Sequence, residues 1–280
     1  MGFFKNLFEK KTCDICGQEI GLLGNRKLED GNCCKSCAKK LSPWFTERKH
    51  STIQEIKDQL ADREANKSRV AAFHETRSFG KSMKVLVDEN SRQFIVTAVR
   101  DLQEENPDVL KFDQVTACDL DVKESRNEIY RKVRDSEGNT RSESYSPRRY
   151  HYSYDFEMTL QLQHPYIDEI EFSLSCGSFR VEAQNDSSFL SALLSTDSDL
   201  PGSTNPPTMR DRLQNDDYAR YDRWAKELRE ILLSGNPANS ENSQVCSPEP
   251  AAPAADVCPF CGAKVSGGKF CENCGGKLRD

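Results

Sequence analysis

The sequence has no apolar run near the roughly 18 residues that a membrane-spanning helix requires. Its start, Met1-Gly2-Phe3-Phe4-Lys5-Asn6, lacks the basic-then-apolar layout of a secretory leader. Nor is there a surplus of positive charge. Against 39 Lys and Arg stand 45 Asp and Glu, a net charge of -6, which argues against non-specific coating of nucleic acid, an activity that needs a basic field to displace counterions. Histidine is scarce. His50, His74, His151 and His164 form no H-E-x-x-H or comparable cluster, so the ligands a catalytic zinc site usually draws on are missing. Apolar content is low as well, with 36% hydrophobic residues and a mean hydropathy of -0.74, so a modest core is diluted by loops and linkers. At roughly 100 to 200 residues per domain, a chain of this length holds two or three units. The expected location is the cytoplasm, with peripheral contact to a membrane.

Cysteine, in contrast, is plentiful. Of twelve cysteines, eight fall into four C-x-x-C pairs, an arrangement that in a reducing compartment reads as metal ligation rather than as a disulfide framework. Near the C-terminus, Cys258-Pro259-Phe260-Cys261-Gly262 is followed nine residues later by Cys271-Glu272-Asn273-Cys274-Gly275. Two residues between thiolates let both sulfurs reach one tetrahedral ion, and the glycine after each pair lets the backbone turn under the metal. A segment this short cannot fold on apolar burial alone, and zinc would supply about 10 to 16 kcal/mol. At the other end, Cys13-Asp14-Ile15-Cys16-Gly17 is the same knuckle, and Cys34-Lys35-Ser36-Cys37 supplies its second pair at the start of a short helix. Knuckle, hairpin and helix-opening pair give a treble-clef-like finger. Cys33 leaves the choice of ligand open. Cys34 is favoured because it alone forms C-x-x-C with Cys37, with Cys33 a spare thiol or alternative ligand. The expected metal ligands are therefore Cys13, Cys16, Cys34 and Cys37 for one zinc ion and Cys258, Cys261, Cys271 and Cys274 for a second. Redox catalysis by C-x-x-C would need a thioredoxin-like βαβ setting, whereas these pairs come in twos at ribbon spacing. Four-thiolate sites are closed, which argues against hydrolysis, and no enzyme is expected.

The remaining chain sorts by period. Residues 1–11 place Phe3, Phe4, Leu7 and Phe8 at helical spacing opposite Lys5, Asn6 and Glu9, an amphipathic helix. After the finger, residues 12–50, the run Thr52-Ile53-Gln54-Glu55 is a capping box that opens a connecting helix within 51–79, ended by Gly80. From Tyr152 to Leu162 apolar and polar residues alternate, and the alternation returns in Ile170, Phe172, Leu174 and Cys176 and then in Phe179, Val181 and Ala183 around a tight turn at Gly177 and Ser178. Cys118 and Cys176 fall in register with the core residues of their strands. Further strands are expected at 83–88, 93–98 and 112–122, with a polar hairpin from 129–133 and 141–145, about six to eight strands in all. Residues 185–208 read as a loop. A helical stripe of Tyr218, Tyr221, Trp224, Ala225, Leu228, Ile231 and Leu232 follows, packed on the sheet. It completes a β-rich domain over 80–234. Residues 235–257, rich in Ser, Asn, Pro and Ala, form a flexible linker to the ribbon at 258–280.

Several strings are specific enough to suggest kin: Cys13-Asp14-Ile15-Cys16-Gly17, Gly21-Leu22-Leu23-Gly24-Asn25-Arg26-Lys27-Leu28, Leu41-Ser42-Pro43-Trp44, Tyr152-Ser153-Tyr154-Asp155 and His164-Pro165-Tyr166-Ile167-Asp168-Glu169-Ile170. On these, residues 12–234 resemble a bacterial family of unknown function that joins an N-terminal zinc finger to a pleckstrin-homology-like domain. The resemblance implies an antiparallel β-barrel capped by the C-terminal helix, and often a C-terminal zinc ribbon. It also implies an apolar residue where Cys33 stands, and no catalytic residues. The fold class is thus α+β and multidomain. The function expected is that of a zinc-binding adaptor or scaffold contacting proteins or a membrane surface. A nucleic-acid-binding regulator is the weaker alternative, and nothing points to a small-molecule substrate.

Overall fold

The computed structural model describes residues 11–183 and 200–234. The chain divides into two compact units, Met1–Asn239 and Ser240–Asp280, and all described residues belong to the first. The expected N-terminal helix except for Lys11, the linker 235–257 and the ribbon with Cys258, Cys261, Cys271 and Cys274 lie outside the described residues.

The chain enters the finger as a strand, because Lys11 belongs to β1 (Lys11–Thr12), which pairs antiparallel with β2 (Glu19–Ile20). The Cys13 to Gly17 knuckle between them closes through Gly17 N–H donating to Cys13 O at 2.7 Å, with Gly17 at φ +74°. A second hairpin, β3 (Asn25–Lys27) and β4 (Asn32–Cys34), leads directly into the short helix α1 (Lys35–Ala38). Gly31 in its turn has no room for a side chain, since a Cβ there would lie 2.7 Å from both the Asp14 carboxylate and Ile53 Cδ1. This is where the two hairpins and the next helix meet.

That helix, α2 (Ile53–Ala72), opens with the expected capping box: the Thr52 hydroxyl accepts from Glu55 N–H, and the Glu55 carboxylate accepts from Thr52 N–H at 2.7 Å. It stops at Ala72, short of Gly80. Residues 77–79 are already strand, and Gly80, at φ +90°, instead turns β5 (Arg77–Gly80) into β6 (Lys84–Asp88), where a Cβ would lie 2.2 Å from Met83 O. The first half of α2 packs Ile56, Ile53 and Leu60 onto the finger's cysteine core. Its last turn puts Val70 against Leu86 and Ile95. Between them Arg63 and Asn66 are buried yet polar. Arg63 donates to Asp108 at 2.7 Å and to Lys40 O, and Asn66 donates to Asn106 and Pro107 O and accepts from Val109 N–H.

Strands β5, β6, β7 (Gln93–Thr97) and β8 (Leu110–Lys111) form one antiparallel sheet. A short helix, α3 (Leu102–Glu105), lies between β7 and β8. Both faces of β6 and β7 are covered, with Leu86 and Ile95 under α2 and Val85, Val87, Phe94 and Val96 in the main core. The second sheet is built on a hairpin of unusual length. Strand β9 (Val115–Arg134) pairs with β10 (Thr140–Leu162) along nearly the whole of both strands. The strand expected at 112–122 and the polar hairpin beyond it are therefore one continuous ribbon, interrupted by a register shift between Ser144 and Arg149. Along β10 the side chains of Tyr152, Tyr154, Phe156, Met158 and Leu160 are buried in alternation, as the period requires.

Two expectations fail here. The segments after β10 do not form a hairpin with each other: β11 (Glu169–Ser173) and β12 (Phe179–Val181) both pair antiparallel with β10, at residues 157–161 and 152–154. They are two pieces of one edge strand. Hydroxyls fill the gap, because Ser175 Oγ accepts Phe156 N–H at 3.2 Å and the Asp155 carboxylate accepts from Ser173 at 2.7 Å and from Ser175. Leu174 and Ser175 are consecutive buried residues, so the alternation breaks and Cys176 is exposed, whereas Cys118 is buried as expected. The sheets also do not close into a barrel. Strand ladders join β5 to β8 and β9 to β12 separately, because β8 is only two residues long and the 3-10 turn Phe112–Gln114 carries the chain out of the first sheet before β9 begins.

After α4 (Met209–Gln214), helix α5 (Asp216–Leu233) is capped by Asn215, whose side chain accepts from Tyr218 N–H at 3.0 Å. It lays Tyr218, Tyr221, Ala225, Leu228 and Leu232 into the core shared by both sheets. Tyr218 meets Tyr154 and Phe156 edge to face at 5.4 and 5.0 Å.

Candidate metal centre

The knuckle presents Cys13 and Cys16. Strand β4 and the first turn of α1 present Cys34 and Cys37. Their four sulfurs lie within 4.8 Å of one another. Cys13 and Cys37 are 4.0 Å apart, and Cys16 and Cys34 are 3.7 Å apart. A tetrahedral zinc ion with Zn–S bonds of about 2.3 Å sets its sulfurs about 3.8 Å apart, whereas a disulfide would require about 2.05 Å. The spacing is that of ligands around an ion. Cys13, Cys34 and Cys37 are buried and Cys16 is exposed.

The backbone prepares the site for negative charge. Cys34 N–H donates to Cys13 Sγ at 3.2 Å, and Cys34 caps α1, accepting Cys37 N–H at 3.4 Å. Burial disfavours the Cys13 thiolate, but the N–H groups of Cys16, Cys34 and Ile15 outweigh it and lower the thiol to about 6. Cys37 moves the other way, raised by burial and by the neighbouring thiols. Four thiolates at this distance repel, and a divalent cation removes the conflict by deprotonating and neutralising them together.

Cys33 is fully buried and outside this group. Its side chain donates to Cys34 O at 3.4 Å and is not one of the four clustered sulfurs. Burial, followed by the charges of Cys13 and Cys34, raises its thiol to about 11. It serves as an apolar core residue. Asp14 was not singled out in the sequence, yet it ties the knuckle to the second hairpin: its carboxylate accepts Asn32 N–H at 2.6 Å, and its own N–H donates to Asn32 O. An Asp one residue after the first cysteine was the available signal. Asp30 does the same for α2, accepting Ile53 N–H at 2.8 Å.

Beside the finger's exit lies a cavity of about 500 Å³ walled by Leu41, Trp44, Met83 and Val96, with Ser42 and Arg63 at its polar side. Ser42 and Arg63 both bond to Asp108, so their polar groups already have protein partners. No described helix is long and apolar enough to cross a membrane.

Residues 12–59 match the profile of a domain of unknown function, DUF4428. The match covers the finger and the first turns of α2. No curated protein and no solved structure matches the chain.

Proposed function

We propose that this chain is a non-enzymatic adaptor whose finger is held by zinc and whose surfaces engage proteins or a membrane. The observation that carries the reading is the four-cysteine cluster: all four coordination positions of a tetrahedral ion are filled by protein sulfur, three of them buried in the finger's own core. Such an ion folds the finger and has no position open to a substrate. The body fits the same reading. Eight strands, β5 to β12, in two sheets followed by α5 across their shared core support a pleckstrin-homology-like domain with an open seam. The spacing of Cys258, Cys261, Cys271 and Cys274 supports a second zinc ion in the C-terminal ribbon. Elemental analysis of the purified full chain is expected to give close to two zinc ions. One ion, or iron, would overturn the two-site reading.

A second reading is favoured by one surface. At the outer end of the long ribbon, Tyr130, Lys132 and Arg134 share a face with Ser144, Ser142 and Thr140, and Tyr130 is 55% exposed. No acid lies among these six residues, and a two-stranded ribbon of this kind fits a nucleic-acid groove. An affinity pull-down with and without nuclease separates the two: partners that persist after nuclease support the adaptor, and partners lost with it support nucleic-acid binding.

A further inference from the structure

Strand β9 is laddered on one side only. Among the described residues it pairs with β10 alone, and from Thr116 to Arg134 the backbone of its other edge bonds to no further element. An edge of this length is a ready template for another strand. The remaining edges are poorer templates. β8 has two residues and β5 has four, and the outer edge beyond β10 is interrupted between Ser173 and Phe179.

The charges along β9 say what this edge accepts. Asp119, Asp121 and Glu124 lie in its first half, and Arg126, Arg131, Lys132 and Arg134 in its second, all exposed. Lys123 and Glu128 break the pattern, and each is already paired within the chain, with Glu157 and with Arg148. A strand acidic at its start and basic at its end is complementary to a second copy of itself run antiparallel.

Symmetry then restricts the register. When a two-fold axis normal to the sheet relates the copies, their buried faces stay on one side only if opposed residues share a face, so the register moves in steps of two. With the axis at Ser125, Asp119 of one copy meets Arg131 of the other, Glu124 meets Arg126, and half-buried Leu120 meets exposed Tyr130. Asp121, Lys123, Glu128 and Lys132 fall opposite uncharged residues: Ile129, Asn127, Val122 and Cys118. A slip of two residues sets Glu124 against Glu124 in one direction and against Glu128 in the other, and like charges directly opposite are destabilising. Glu124 keeps an oxygen for the contact, since Tyr154 and Arg212 both donate to its Oε2. Arg131 holds Glu143 through Nη2 at 3.4 Å, which leaves the rest of its guanidinium fork.

We propose that two copies of this chain join through their β9 edges, antiparallel and centred on Ser125, into a dimer with one continuous sheet. Each copy has one such edge and pairing consumes it, so assembly closes at two. The pairing goes beyond the adaptor reading and uses no cysteine of the metal centre.

The test is sedimentation equilibrium of the zinc-loaded, nuclease-treated full chain. The expected result is a dimer at micromolar concentration that weakens with added salt. Asp119→Arg and Arg131→Asp, made singly, each set two pairs of like charges across the interface and should weaken association about tenfold or more. Combined in one chain, or mixed as two separately changed chains, they place opposite charges face to face again and should restore it. Rescue by mixing excludes a folding defect as the cause of the loss, because neither chain alters the other's sequence. The proposal is overturned if the parent is monomeric throughout, if its dimer disappears with nuclease, if both single variants associate like the parent, or if the mixture stays monomeric.

Discussion

On β4, Cys34 is one of the four clustered sulfurs, 3.7 Å from Cys16, and Cys33 is not. Cys34→Ser is therefore expected to lose one zinc ion per chain and Cys33→Ser to keep its zinc, read by elemental analysis. Equal loss in both would mean that the two thiols exchange roles. A different residue sets a pH response. His164 accepts Tyr166 N–H at Nδ1, 3.3 Å away, and burial, helped by Arg69, holds it below its ordinary value. The unfolded chain takes up this proton first, near its unperturbed pKa of about 6.5. Stability is thus unaffected well above that value and falls as the pH drops through it, until the folded group also titrates. His164→Asn keeps an acceptor and removes the titration. Its melting temperature should fall less than the parent's between about pH 7.5 and 5.5, and equal losses would refute the assignment.

At the level of elements, the sequence was most readable where a local signal and a burial period agreed. Thr52 and Glu55 marked the start of α2, the stripe from Tyr218 to Leu232 marked α5, and the Tyr152 to Leu162 alternation marked the body of β10. It was least readable where a tertiary partner overrides the period. Leu174 and Ser175 are both buried, with the Ser175 hydroxyl taking Phe156 N–H and serine hydroxyls bonding the Asp155 carboxylate, and no periodicity announces that. Seam closure depends on how many residues β8 contributes, which composition does not report. The cysteine pairs were legible because their spacing is itself the chemistry, whereas the carboxylates of Asp14 and Asp30 acquire their roles only when the hairpins meet. The buried polar face of α2 was likewise hidden, since Arg63 and Asn66 occupy core positions with polar side chains. Asn66→Ala should leave Val109 N–H and the Asn106 side chain without their partner in a buried site. A loss of about 1 to 3 kcal/mol is expected, measured by denaturant unfolding. A loss below about 0.5 kcal/mol, the range of ordinary surface changes, would mean that water takes the place of the amide.

For the molecule as a whole, the decisive feature is that α2 belongs to two cores of different origin. Ile56 sits in the cysteine cluster, and Val70 sits beneath the first sheet. Over its 20 residues the helix extends about 30 Å, with one end packed on the cysteine cluster and the other on the first sheet. Chelation should therefore leave the sheets folded and loosen the helix from one end only. Hydrogen exchange would record this as a gradient: amides of the first turns, around Ile56 and Leu60, would exchange freely without metal, while those near Val70 would stay protected. The inflection should fall at the pair formed by Arg63 and Asp108. Uniform loss of protection along α2 would show instead that it melts as a unit. With the gradient, the helix acts as a graded fuse, letting the finger open and reclose on its ion without the body registering the event.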